Sequence, residues 1–589
     1  MSRIPKAITA TSSSFNISGN LELATPDMLP NVESMLNADD AAKHLNPEAA
    51  TLFNLAPYDP QKLIDNGFSY VAALRFVGEH QTIGWYVMQK KDVVDVFKVL
   101  QAEVQQHVDA HYLDWRDDKL VSYDMYTTIM IALLGCMRGF SSITKWVAEI
   151  NNNISTRAFI TVLFPKALPP WVSYNPNSVY RLLAMFADSC YGDTVKNEAK
   201  AANKSGMAAL QLFFKNLRQY QAKIEVDLFS YAPTSGFLKG VTFKFSTPRY
   251  GTTGLDGQEL RASSLPTDGS PNKHYTTVNL FDCTYLRAVD NVIRIKKNQE
   301  AEAFKQMLMA LVAAGVDLRN VIFVADALNT RWEILAAIEA AGAKYLLIIK
   351  DNNGNKALRV FMDGYFATVS DDQLKTFVSP VQHDHGRDEQ VTIKAVSASQ
   401  VKAHPDLSKP AELSVNMANP LPKYMEELGV KTIVKYDKSS VERRDKFSTE
   451  ALAKLNAKAA SAEEQAKRHR TYISNVDLNI PEAFEKLLCS LNEHWMYEVA
   501  HNYADTVLKQ DRLQMSDAQR LCTRVGFNKI SLDFGLFCRE RIRNTWKDRG
   551  HVGDDKTSLD TTYTTLSDPI SFIDNLCAFF APALQVRGI

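Results

Sequence analysis

The chain has 589 residues, 46% hydrophobic and 23% charged, and its 67 Lys plus Arg are balanced by 67 Asp plus Glu. That length predicts roughly two to four domains with ample core, while the zero net charge lacks the basic excess that marks a whole domain as a nucleic-acid binder. Seven dispersed cysteines without a C-x-x-C pair exclude a disulfide or zinc framework, and apolar runs such as residues 129–136 are too short to span a membrane, so a soluble cytoplasmic protein is expected.

Residues 1–95 open on a polar Ser/Thr stretch at 9–14, with no apolar signal core behind Met1. Residues 68–76 and 82–88, rich in β-branched and aromatic side chains, predict a strand pair. From 96 to 235 the pattern is helical: Val93, Val94, Phe97, Leu100 and Val104 recur at helical spacing, and residues 127–140 read as a mostly buried helix. Such a bundle suits either DNA-end binding or a scaffold. Between 236 and 350, strand material at 242–246, 252–255, 275–280 and 286–295 precedes an amphipathic helix at 300–315. A strand at 321–325, a helix at 332–342 and a strand at 345–349 follow. Strands and then strand–helix–strand predict an α/β mixed sheet flanked by helices. Residues 351–475 read as a β-rich insertion, with strands at 390–396 and 430–436 and an Ala/Lys/Glu-rich helical arm at 451–467. Residues 476–589 return to helix, beginning near Pro481.

Three acidic residues carry the candidate chemistry. Asp256 lies in Gly-Leu-Asp-Gly-Gln-Glu-Leu-Arg, Asp326 ends the apolar run Val-Ile-Phe-Val-Ala, and Glu498 lies in His-Trp-Met-Tyr-Glu. Two strand-borne aspartates and a distant helical glutamate can assemble a two-metal site, in which paired divalent ions activate a nucleophile and stabilise a leaving oxygen. Carboxylates suit magnesium or manganese, and thiols do not. Each residue also has a plainer explanation. Asp326 could cap the next helix, Asp256 could occupy a glycine turn, and the stripe His494, Glu498, His501 and Asp505 could be a solvated helical face.

Other features are less specific. His383 and His385 form an H-x-H pair suited to a metal or to a surface loop. Arg443 and Arg444, the basic residues of 467–470, and those of 539–549 suit phosphate contacts or simple solvation. No P-loop, G-x-S-x-G elbow or H-E-x-x-H motif occurs.

In co-linear order over roughly residues 117–547, these segments resemble the ISAs-type (H-repeat-associated) insertion-sequence transposases, a DDE group. Residues 134–146 and 175–183 resemble the family's N-terminal helical pattern. Asp256-Gly257 with Leu260, Arg261 and Ser263 resembles its D-G-K-T-L-R-G-S segment, and Asp326-Ala327 with Glu333-Ile334 its D-A-x-x-x-x-E-I stretch. Lys350-Asp351-Asn352 resembles K-G-N, and His385-Gly386-Arg387 with Glu389 resembles H-G-R-x-E. Tyr472-Ile473-Ser474 resembles Y-Y-I-S, and His494-Trp495 with Glu498 resembles H-W-x-x-E. The chain departs from the family at Gln258, Thr330, Arg331 and Val499, and His501 and Asp505 sit about one residue out of register.

The resemblance implies an RNase H-like catalytic core behind an N-terminal helical domain, with a β-rich insertion before the last catalytic helix. It implies a transposase that cleaves and joins double-stranded DNA at the inverted-repeat ends of a mobile element, acting as a homodimer on DNA and away from membranes. Asp256, Asp326 and Glu498 would hold two Mg2+ or Mn2+ ions. His494, His501, Lys350, Asn352, Arg261, His385 and Arg387 would support them or position DNA. The alternative is a domesticated DNA-binding or regulatory protein on the same scaffold.

Overall fold

The computed structural model describes residues 54–55, 58–110, 124–164, 166–185, 206–222, 224–263, 274–294, 300–326, 330–349, 356–384, 387–402, 425–442, 468–513, 518–548 and 558–582. The polar stretch at 9–14, the arm at 451–467, and Lys350, Asn352 and His385 lie outside them.

The first half is helical: α1 (Pro60–Asp65), α2 (Tyr70–Gln89), α3 (Lys91–Ala110), α4 (Met125–Met137), α5 (Ile143–Asn152), α6 (Ile154–Leu163), α7 (Pro176–Met185) and α8 (Gly206–Gln219). Side-chain caps start several of them, with Ser69, Asp124, Ser142 and Asn153 each accepting from a backbone N–H of the first turn. The strand pair expected at 68–76 and 82–88 is replaced by α2. Ala73, Phe76, Val77, His80, Ile83, Gly84 and Val87 are its buried residues. Their three- and four-residue spacing is a helical stripe, and it overrides the local β propensity. All thirteen residues of α4 are buried.

The second half builds a sheet. A two-stranded ribbon of β1 (Ser230–Tyr231) and β2 (Phe243–Lys244) comes first. Then come β3 (Gly251–Glu259), β4 (Thr276–Asp282), β5 (Arg287–Arg294), α9 (Glu300–Ala313), β6 (Val321–Ala325), α10 (Trp332–Ala340), β7 (Lys344–Ile349) and α11 (Lys356–Thr368). The segment expected as a β-rich insertion supplies β8 (Lys375–Val378), β9 (Gln382–Asp384), β10 (Arg387–Ser397), the short α12 (Ala398–Lys402), β11 (Thr432–Glu442) and β12 (His469–Ser474). Last come α13 (Ala483–Thr506), the long α14 (Ala518–Asp548), α15 (Leu559–Thr565) and α16 (Pro569–Phe580).

Ten strands form one mixed sheet in the order β5-β4-β3-β6-β7-β12-β11-β10-β8, with β9 pairing β10. β5, β4 and β3 are antiparallel neighbours, whereas β3, β6 and β7 run parallel. The strands of 351–475 thus extend the same sheet, because β12 pairs antiparallel with β7. Side-chain alternation sorts the two faces. Leu255, Leu280, Phe323, Ala325, Leu347 and Ile473 pack under α9, α10 and α11. Ile322, Val324, Leu346, Ile348, Val434 and Tyr472 pack under α13 through Phe484, Leu487, Leu488 and Leu491. A third core joins α2 to α7 with α14, α15 and α16, so among the described residues the early and late helices share one interior.

Candidate active site

The strand register brings two of the three acidic residues together. β3 and β6 pair in parallel from Gly251↔Val321 to Leu255↔Ala325. One step beyond that register, just past the end of β6, comes Asp326, whose charge acts on Asp256. Asp256 is inside β3 and not at its end, because β3 runs on against β4 to Glu259 after β6 has stopped. Both residues alternate onto the face that α13 covers, opposite to Leu255 and Ala325.

α13 lies close on that face because Gly254 has no side chain. A Cβ there would stand 2.5 Å from the Tyr497 ring. Tyr497 donates to the Asp256 carbonyl at 3.3 Å and hydrogen-bonds His501 Nε2 at 2.7 Å. His501 Nδ1 is 3.4 Å from Asp256 Oδ2, and Asn279 on β4 contacts the same ring at 3.4 Å. Further along, the Gln258 amide donates to Asp505 and accepts from Gln510 at 2.8 Å. The expected stripe therefore divides: His501 and Asp505 face the sheet, whereas Glu498 is exposed and His494 half-buried. Trp495 is 57% exposed, so the apolar residues around Glu498 do not all enter the core.

Charge is concentrated around Asp256. Burial first, then Asp326, with Glu300 and Glu498 adding to it, push its carboxyl up to about 7 against a hydrogen bond from Gly257 N–H. Glu300, which opens α9, was not singled out by the sequence. It packs where a Cβ on Gly257 would meet it at 2.1 Å, on the far side of β3. Its position as the first residue of a strong amphipathic helix was the available signal. Burial pushes the His501 imidazole down to about 3 with help from Lys529, and the His494 imidazole down to about 4 with help from Arg470. Both are neutral near pH 7. The α13 helix is anchored by a buried Arg249–Glu493 ion pair at 2.8 Å, with the guanidinium 4.6 Å from the Tyr231 ring centroid.

The remaining candidates are spread out. Arg261 is exposed just after β3, and its charge acts on Asp505. Arg387 opens β10, opposite Glu442 of β11. His383 bonds Asp388 at 2.8 Å on the surface. Arg539, Arg541 and Arg543 spend hydrogen bonds within the protein, on the Tyr503 hydroxyl, Asn575 and Glu540. That leaves them less suited to phosphate than their clustering suggests.

The three carboxylates supply only hard oxygen ligands, and burial, with acidic charge from Asp326 added to it, holds the Asp256 carboxyl up. A divalent cation fits that chemistry. Among the described residues, however, no group of three or more His, Cys, Asp or Glu is drawn together tightly enough to hold an ion. The carboxylates act on one another electrostatically without forming a closed ligand shell.

No protein-family profile matches the chain, and no curated protein matches it. Among solved structures, a cryo-EM synaptic complex of piggyBac transposase with hairpin DNA is similar over 90% of this chain and 82% of that one, with a TM-score of 0.32 and 8% identity. A likeness at that level carries no weight for fold or function.

Proposed function

We propose that the chain is a metal-dependent DNA-processing enzyme with an RNase H-like core, and that it acts as a DDE transposase. The observation that carries this reading is the parallel β3–β6 register, which runs to Leu255↔Ala325, the pair just before Asp256 and Asp326, together with the electrostatic influence of Asp326 and Glu498 on Asp256. An antiparallel β5-β4-β3 meander continued by parallel β6 and β7 supports the same core. Asp256, Asp326 and Glu498 would hold two Mg2+ or Mn2+ ions, which supply nucleophile activation and charge stabilisation at phosphorus. Asp256 feels the charge of both Asp326 and Glu498, so it would be one of the residues that hold the metal. His501, hydrogen-bonded to Tyr497, lies 3.4 Å from Asp256 Oδ2 and would help to position that carboxyl. Catalysis of this kind depends on positioning and electrostatics more than on covalent work by side chains. Double-stranded DNA, including element ends and target, is the proposed substrate, with a homodimer bringing two ends together in the cytoplasm.

The test is cleavage and joining on DNA spanning the flanks of the gene, with Mg2+ or Mn2+. Wild type is expected to nick at defined positions, and Asp326→Asn and Glu498→Gln to lose at least about a hundredfold, the upper end of the loss for residues that merely support ligands. Metal-independent or mutation-insensitive nicking would exclude the triad. DNA binding without cleavage would favour the regulatory alternative.

A further inference from the structure

The face that carries Asp256 and Asp326 continues across the sheet to a basic residue with no role in the carboxylate cluster. β7 pairs β12 through Ile348↔Tyr472, and β12 pairs β11 through Tyr472↔Val434 and then Arg470↔Tyr436. Ile348, Tyr472 and Val434 all lie on the α13 side, so alternation puts Arg470 and Tyr436 on that side too, one side-chain pair nearer the open edge. Both are half-buried, whereas Tyr472 beneath them is only 2% exposed. Two strands and two residues separate Arg470 from Asp326, a diagonal of roughly 12 Å.

Three observations give this pair a ligand chemistry. The Arg470 guanidinium is hydrogen-bonded to the Tyr472 side chain and feels the Glu498 charge, and its own charge acts on His494. It therefore lies within electrostatic reach of Glu498. Burial pushes the Tyr436 and Tyr472 phenols up, which keeps both as hydroxyls. Tyr436 is held by the Phe237 ring at 6.0 Å. A guanidinium paired across the strands with a tyrosine hydroxyl is a donor set for a tetrahedral oxyanion, and five N–H groups let arginine bind phosphate bidentately. The charge is also where an acid-lined crevice needs it if DNA is to enter.

We propose that Arg470, with Tyr436, forms a phosphate subsite that holds the DNA backbone a few nucleotides from the scissile position. The proposal rests on the DNA-processing reading above. A rise of about 3.4 Å per nucleotide along one strand makes the separation two to four nucleotides. The guanidinium and the Tyr436 hydroxyl bind one phosphodiester, so that a phosphodiester about two to four nucleotides along the same strand can lie over Asp256 and Asp326.

The experiment is fluorescence anisotropy of a labelled DNA duplex against salt concentration, in EDTA so that no cleavage competes. Wild type, Arg470→Gln and Arg470→Lys are compared with Arg319→Gln, a control at an exposed pair with Asp317 beyond the opposite end of β6. Each phosphate contact contributes about 0.9 to the slope of log affinity against log salt. Arg470→Gln should bind more weakly with a slope shallower by about one. Arg470→Lys should keep the slope and lose affinity, since an ammonium cannot form the bidentate pair. Arg319→Gln should match wild type. An Arg470→Gln protein that melts like wild type and keeps its slope overturns the subsite while leaving the DNA-processing reading intact. If that variant does not fold, wild-type affinity in Arg470→Lys overturns it instead. Wild type without salt-dependent binding would defeat the DNA-processing reading itself, and the subsite with it.

Discussion

His80 lies on α2 with 1% of its surface exposed, its ring 5.0 Å from that of Tyr58 and 5.9 Å from that of Phe76. Burial, against the opposing pull of the nearby Asn54 backbone, lowers the imidazole from the ordinary 6.5 to about 4. The folded state thus binds the proton more weakly than the unfolded chain. The stability this contributes is complete above pH 6.5 and is lost as pH falls through 6.5 toward 4, by about 3 kcal/mol in total. Asp533 works the other way. Burial raises its carboxyl from 3.8 to about 7, so its contribution is lost as pH rises across that same window. Comparing wild type with His80→Phe separates the two, because both proteins keep Asp533. Denaturant melts from pH 4 to 7 should show wild type losing stability relative to the variant as pH falls below 6.5, with a constant difference above it. A gap independent of pH would mean that the imidazole is not driven neutral by its burial.

At the scale of elements, the contact between β3 and α13 governs the candidate site. Gly254→Ala would bring a Cβ to 2.5 Å from the Tyr497 ring and 3.0 Å from Tyr497 Cβ, near the root of a buried side chain that cannot swing aside. Overpacking of this kind costs about 1–3 kcal/mol. The helix should also lift from the strand, moving Glu498 relative to Asp256. Thermal melting is expected to fall modestly and DNA cleavage to fall far more steeply, and equal losses would leave the contact as ordinary packing. This contact also shows the limit of what the sequence displays. Asp256, Asp326 and Glu498 stand out in local patterns, as do the apolar strand at 321–325 and the helix opening at 300, because each is set by neighbours a few residues away. Residues 68–88 mislead for the complementary reason. Their aromatic and β-branched content suggests strands, and only the helical spacing of the buried positions, from Ala73 to Val87, reveals α2. The approach of Tyr497 to Gly254, Glu300 behind Gly257, and the Arg470–Tyr436 pair depend on long-range register, which no local pattern encodes.

For the molecule as a whole, the relevant feature is the interior shared by its first and last helices. Phe159 on α6 packs edge-on against Phe572 on α16 at 5.7 Å, the Arg138 guanidinium donates to the Ser567 carbonyl at 2.6 Å, and Tyr86 and Lys90 both reach Asp574. Arg524 on α14 meets Cys136 and the Phe140 carbonyl at the end of α4. The α16 helix alone buries Phe572, Ile573, Leu576, Phe579 and Phe580. Five such side chains at about 1.5–3 kcal/mol each contribute on the order of 10 kcal/mol, which is comparable to the whole stability of a typical domain. A chain ending at Ser567 should therefore lose far more than its last helix: α2, α6 and α14 would expose the apolar surfaces that α16 covers. Because α14 also packs on β5, and α13 reaches α14 through the Tyr503–Arg539 hydrogen bond, the disturbance should spread to the sheet that carries Asp256. Size-exclusion chromatography and far-ultraviolet circular dichroism on the shortened chain should show aggregation and no cooperative melt. A monomer melting within a few degrees of the full chain would mean that the terminal helices are an appendage, and that the sheet and its acidic residues hold together without them.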